Sequence, residues 1–194
     1  MSLPLAQLRP TNSPSTEPAP RRNFAWLLRR SRRLRRWAWL LLPLAYAVVF
    51  SFLSLRQHAT FHTYALDLGQ FDQAIWNTAH GRFMVNTLKP PNTMGWHFSP
   101  GFVFLVPLYW LWSDIRLLFV LQSVALAASG VPLFLYLRRR VGIWPAVACL
   151  AAYYLGPSLH RVNLEEFRRL TLAVPALALA LPLGLGVVLQ NVQR

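Results

Sequence analysis

Residues Leu117 to Leu137, L-L-F-V-L-Q-S-V-A-L-A-A-S-G-V-P-L-F-L-Y-L, run without a charge and stop at Arg138-Arg139-Arg140. A helix rises about 1.5 Å per residue, so this run can cross a hydrocarbon core of about 30 Å. Inside that core every backbone amide must find its partner within the segment, which a helix provides. The arginines that close the run belong on the cytoplasmic side. The fold is therefore read as all-α and embedded in a bilayer.

Upstream, Trp37 to Leu55 offers roughly 19 uncharged residues and makes another span. Pro43 is expected to bend it slightly. Downstream, Val141–Leu159 and Leu170–Leu189 are further candidates. Gly156-Pro157 should end the first of these, and Pro175 and Pro182 interrupt the second. Gly101–Trp112 is as apolar, but a dozen or so residues cannot cross, so it is expected to lie at the interface or re-enter it. Ser99 would be its N-cap and Pro100 its first residue. The expected map is a multi-pass cell-membrane protein with four spans, at about 37–55, 117–137, 141–159 and 170–189. Both termini lie inside, and an outer loop, 56–116, carries an interfacial helix at about 100–112. Counting 101–112 as a span would put the triple arginine outside.

Composition agrees with this map. Of 194 residues 55% are hydrophobic and 13% charged, about half the charge of a soluble domain. A net charge of +14 would suggest nucleic acid in a soluble protein. Here thirteen of the twenty basic residues fall at cytoplasmic segment ends, so topology accounts for them and no nucleic-acid partner is expected. Five of the six acids (Asp67, Asp72, Asp114, Glu165 and Glu166) fall outside. Residues 1–36 form a basic cytoplasmic head, expected to be disordered. Its first twenty residues lack an apolar period, and eight arginines among Phe24, Trp26, Leu27, Leu28 and Leu34 then suit an anionic leaflet. The lone Cys149 can form no intrachain disulfide.

The outer loop concentrates the polar chemistry. Asp67 to Gly81, D-L-G-Q-F-D-Q-A-I-W-N-T-A-H-G, reads as one short helix with Leu68, Phe71 and Ile75 at helical spacing. Asp67 can be its N-cap, with Gln70 at the third position, and Gly81 its left-handed stop. Asp67 is thus either a cap or a functional acid. Capping does not explain Asp72, which is either a solvated carboxylate paired with Arg82 or Lys89, or a general base or metal ligand. It should share a helix face with Trp76 and His80. Lys89 and Arg82 can hold a lipid phosphate, or simply reach toward head groups. In the second outer loop Arg161, Glu165, Glu166, Arg168 and Arg169 suggest local salt bridging, and the arginines would suit a phosphate-bearing substrate if the two loops meet. Gln122 and Ser123, inside a span, are expected to bond a neighbouring helix, and Ala125 with Ser129 to permit close helix packing.

The Asp67–Gly81 pattern, His97-Phe98-Ser99-Pro100, the apolar Pro107-Leu108-Tyr109 and the later Leu121-Gln122 resemble a prokaryotic family of predicted polytopic membrane proteins, a domain of unknown function. That family is distantly similar to the GT-C glycosyltransferases, such as protein mannosyltransferases and the aminoarabinose transferases of lipid A. The resemblance runs from about Trp37 to the end of the chain. It implies a GT-C-like N-terminal portion whose first outer loop carries an essential acid, with a polyprenyl-phosphate sugar as donor. Asp67 and Asp72 become the candidate catalytic acids, acting as base on an acceptor hydroxyl. Asp72 with His97 would hold a divalent metal such as Mg²⁺, and His97, Lys89, Arg82, Arg168 and Arg169 would contact substrate. Two departures stand out. The second loop usually carries a Phe-His-Pro element, where this chain has Phe167-Arg168-Arg169. Family members also run to several hundred residues, so further helices are expected from another chain. The rival expectation is a non-catalytic truncated copy or a structural subunit of a membrane complex. A transporter is a third possibility, but no span holds the buried acid or base that coupling needs.

Overall fold

A computed structural model describes residues 37–63, 65–88, 92–96, 99–165, 167–180 and 184. It divides after Ala38, and the fold described below is that of the unit from Trp39 onward. Helix α1 is Leu41–Ala59, entered through a 3-10 turn at Ala38–Leu40. Helix α2, Ala65–Ala79, carries the acidic motif and is followed by the one-turn helix α3, Thr93–Trp96. A 3-10 stretch, Pro100–Leu105, leads into the short α4, Val106–Leu111. Then come α5, Arg116–Val141, α6, Ile143–Leu155, and α7, Pro157–Glu165, before a 3-10 turn at Arg169–Ala173. The described residues form no strand, only an isolated antiparallel bridge between Val85 and Asn92.

Two of these helices are long and apolar enough to cross a membrane, Ala38–Ala59 and Arg116–Val141. On α1 a single stripe, Pro43, Tyr46, Phe50 and Ser54, is buried, while Leu44, Val48 and Phe52 are each about 60% exposed. Such a face suits lipid, since hydrocarbon solvates leucine as well as a protein core does. Helix α5 is the hub, packed against α1, α6, α7 and the last 3-10 turn. Arg138 to Arg140 continue it as a last turn, where positive charge complements the helix dipole, and Gly142 at φ 90° ends it.

Pro43 falls in the first turn of α1, where a proline's missing amide costs little. One expectation changes. The expected third span, 141–159, is not one helix. Val141 ends α5, and Gly156 turns extended after only 13 residues of α6, which reach about 20 Å. Of the expected fourth span, Arg169–Ala180 forms a short apolar helix, and the rest, apart from Gly184, lies outside the described residues, as does the basic head. The segment expected at the interface is helical over Pro100–Leu111, with Ser99 as N-cap and Pro100 in first place, although the Ser99 side chain makes no capping bond.

Helices α5 and α6 approach closely at Gly130 of α5. A Cβ there would meet the Leu150 Cδ1 at 2.8 Å and the Tyr154 ring. The Tyr154 hydroxyl donates to the Ala127 carbonyl, and Ser129 Oγ and the Tyr153 hydroxyl are 2.6 Å apart. The small residues of this span therefore do admit close packing. Gly130→Leu should lower stability by about 2 kcal/mol, because overpacking of about 3 kcal/mol outweighs the roughly 1 kcal/mol gained by removing a helix glycine. Thermal unfolding in detergent measures this, and an unchanged midpoint would contradict the α5–α6 contact.

Candidate functional site

Helix α2 assigns a separate task to each polar residue of its motif. It starts at Ala65, so Asp67 sits in the first turn rather than at the cap, and Gln70 cannot complete a capping box. A negative charge in the first turn still complements the positive end of the helix. Leu68, Phe71, Ala74 and Ile75 are buried together with Phe102, Leu105, Val106 and Tyr109 of the 3-10 stretch and α4. The same core takes in Leu117 to Phe119 at the start of α5, and Leu55 near the end of α1 packs on it. The first loop is thus a helical platform seated on the ends of the two long helices.

The next face of α2 grips the chain that follows. Asn77 Nδ2 donates to the Val85 carbonyl at 2.9 Å, and the Met84 amide donates to Thr78 Oγ1 at 2.9 Å. Gln73 Oε1 accepts from the Thr87 amide at 2.9 Å and from its hydroxyl at 3.1 Å. Gly81, at φ 81°, stops the helix as its sequence suggests. The Arg82 amide reaches back to Asn77 O at 2.8 Å and the Gly81 amide to Thr78 O at 3.1 Å, the paired bonds of a Schellman motif. Gln73, Asn77 and Thr78 are therefore loop latches, which their side-chain chemistry alone did not distinguish from ligand contacts.

Asp72 faces α4. Its Oδ1 accepts a 2.7 Å hydrogen bond from the Tyr109 hydroxyl, and the Trp110 indole donates to the Ala79 carbonyl at 3.0 Å on the same interface. Burial is the main cause that raises the Asp72 carboxyl above its ordinary range. The Tyr109 bond opposes that shift, and the Asp114 charge adds to it. Tyr109 is itself 2% exposed, and burial followed by the Asp72 charge pushes its hydroxyl upward, which keeps it a donor. Asp72 is therefore neither a solvated carboxylate nor a partner of Arg82. Arg82 instead lies over the Trp76 ring at 5.8 Å, while Trp76 and His80 stack at 4.0 Å. Asp67 is five positions from Asp72, about 140° around the helix, so the two acids face different ways.

The second loop meets the first through Phe167. This ring is buried, 6.0 Å edge-on from Phe71. Arg161 and Arg168 both pair with Glu165, at the exposed surface. Arg169 is different, because its Nη1 is buried with no hydrogen-bond partner, as is Gln70 Nε2 on α2. The loop is anchored from the span below. The Arg168 amide and the Thr171 hydroxyl donate to Gln122 Oε1 at 2.7 and 3.1 Å, and Gln122 Nε2 donates to the Val162 and Asn163 carbonyls, each at 3.2 Å. Ser123 Oγ donates to Asn163 Oδ1 at 3.1 Å, Ser54 Oγ to the Asn163 carbonyl at 3.4 Å, and Asn163 Nδ2 to the Tyr46 hydroxyl at 3.3 Å. Gln122 and Ser123 bond protein neighbours, as their place in a span suggests.

Of the expected site residues, Asp67, Asp72, Arg82, Arg168 and Arg169 are placed, while Lys89 and His97 lie outside the described residues. Tyr109 was missed because it stands in an apolar run. Its signal was the spacing Phe102, Val106, Tyr109, which sets it on the inward face. Among the described residues no group of three or more His, Cys, Asp and Glu side chains stands together as a metal site. His97, the expected second ligand beside Asp72, lies outside the described residues, and the chemistry below is stated for the proton.

These features define an all-helical membrane protein whose first loop is a folded platform holding one half-buried, tyrosine-bonded acid. The chain belongs to the family described as Predicted membrane protein (DUF2079), whose model matches residues 57–187. That match takes in the platform, α5, the second loop and the apolar segment after it. No curated protein and no solved structure shows a significant match to the chain.

Proposed function

We propose that this chain contributes the acid-bearing loop of a GT-C-like membrane glycosyltransferase that takes its sugar from a polyprenyl phosphate. In this reading the N-terminus lies in the cytoplasm and the Asp72 platform on the opposite face of the membrane. The observation that carries the reading is the Asp72–Tyr109 pair, a carboxylate raised in basicity by burial yet held in one orientation at 2.7 Å. A base so placed accepts the proton of an acceptor hydroxyl as that oxygen attacks the sugar's anomeric carbon, while the lipid phosphate departs with the bonding electrons. Fixing the carboxylate in advance reduces the orientational cost of the step. Phe104, Trp110 and Leu111, 82%, 70% and 88% exposed, support an interfacial setting for α4, where a lipid-linked donor would be met. Further helices from another chain would complete the cavity.

The test uses transfer from a polyprenyl-phosphate sugar in membranes carrying the chain. Tyr109→Phe removes the bond that favours the charged carboxylate, so the Asp72 carboxyl must rise further. The acid limb of the pH–rate profile should then move to higher pH, with the rate at high pH retained. A limb that stays in place removes Asp72 as the base, and wild-type membranes without transfer remove the whole reading.

A further inference from the structure

The geometry points to an anion-binding site shared by Gln70 of the first loop and Arg169 of the second, taking a phosphate group between the two loops. It deepens the proposal above by naming where the phosphate of the substrate is held, and it rests on that reading only in placing these loops outside the hydrocarbon. Gln70 is 1% exposed, and its Nε2 has no acceptor; Arg169 Nη1 is likewise buried without one. Native proteins rarely leave such donors unmet, and each costs the full desolvation of the group. Arg169 as a whole is part-exposed, and the buried Nη1 is the end of the cation that lacks an acceptor.

The two positions are tied together by the chain itself. Gln70 directly precedes Phe71, Arg169 follows Phe167 by two residues, and those rings touch edge to face. Both side chains are long enough to reach one small group beside that contact. The nearby acid Glu165 is engaged by Arg161 and Arg168 at the surface. What both orphan atoms lack is an acceptor, and a guanidinium beside a neutral amide donor suits the oxygens of a phosphate. Asp72, on another face of α2, would remain free for proton chemistry.

The full chain purified in a neutral maltoside detergent is the material for the test, and the thermal midpoint is the readout. One arm titrates inorganic phosphate, and the other titrates short-chain phosphatidic acid. A saturable rise in at least one arm is expected. A rise with phosphate identifies an aqueous anion as sufficient, and a rise with phosphatidic acid alone identifies a lipid head group. Arg169→Gln should weaken binding about tenfold to a hundredfold, the cost of a charged hydrogen bond.

Gln70→Glu is the decisive variant. It sets a carboxylate of the same shape beside Arg169, so it should raise the midpoint without ligand and abolish the ligand-induced rise. It remains informative if Arg169→Gln does not fold. No rise in either arm overturns the proposal, and so does a rise that survives Gln70→Glu. Because the readout is binding, this failure is distinct from a failure of sugar transfer.

Discussion

Asp72→Asn is expected to lower sugar transfer about a hundredfold to ten-thousandfold, the usual worth of a positioned general base, while raising the thermal midpoint at neutral pH. The two effects share one cause. The folded protein holds the Asp72 proton more tightly than the unfolded chain, because burial penalises the charged form. The sign follows from linkage. Stability from this group is fully present below the unfolded value of 3.8 and is lost as pH rises through the raised folded value. Asparagine keeps an oxygen for the Tyr109 hydroxyl and carries no charge, so the variant should escape that loss. Thermal unfolding near pH 3 and near pH 7 should separate wild type from variant only at the higher pH. Unchanged turnover at matched protein level would remove Asp72 from the reaction, and a lower midpoint at pH 7 would contradict the burial penalty.

Gln122→Leu should be the most damaging change outside the motif. The side chain is fully buried, and its two ends bind the second loop at the Arg168 amide, the Thr171 hydroxyl and the Val162 and Asn163 carbonyls. Leucine fills nearly the same volume but leaves the Arg168 amide and the Val162 carbonyl without this partner, at about 1–3 kcal/mol each, while Thr171 and Asn163 keep their bonds to the Arg168 carbonyl and to Ser54. A total of about 3–5 kcal/mol is expected, which ranks among large single-substitution effects. The loop should loosen before the spans do. Limited trypsin digestion read by mass spectrometry should then show early cleavage after Arg168 or Arg169. Ser123→Ala, which loses one bond to Asn163, should cost about 1 kcal/mol. Equal digestion of Gln122→Leu and wild type would refute the anchoring role.

The long helices were legible because a span declares itself by length and absence of charge, and α5 shows this from Leu117 to Leu137. Gly81 was legible too, since a left-handed stop needs glycine. The end of the third helix was legible at Gly156-Pro157 and is found there, whereas its restart as α7 was not, because proline suits a helix's first turn as well as it breaks one. Asp67 was misplaced at the cap because Ala65 and Leu66 extend the helix upstream without any polar signal. Asp72 stood out by elimination, yet its partner did not. Tyr109 is 37 residues away, and only the packing of α4 on α2 brings the two together. The fold divides the motif into core, latch and acid. The Phe167-Arg168-Arg169 departure likewise acquires a physical content. Phe167 docks the loop, Arg168 faces out to Glu165, and Arg169 turns inward.

Ser54 on α1 waits for a residue 109 positions later in the chain. At about 5–20 residues per second of synthesis, that delay is about 5–20 s. Throughout it, the hydroxyls of Ser54 and Tyr46 confront lipid or the translocon with their eventual companion still unmade. The first helix therefore spends its nascent life as an orphan, needing a temporary escort at the insertion machinery. Slowing the ribosome ahead of Asn163 should lengthen that escort's residence on the growing chain.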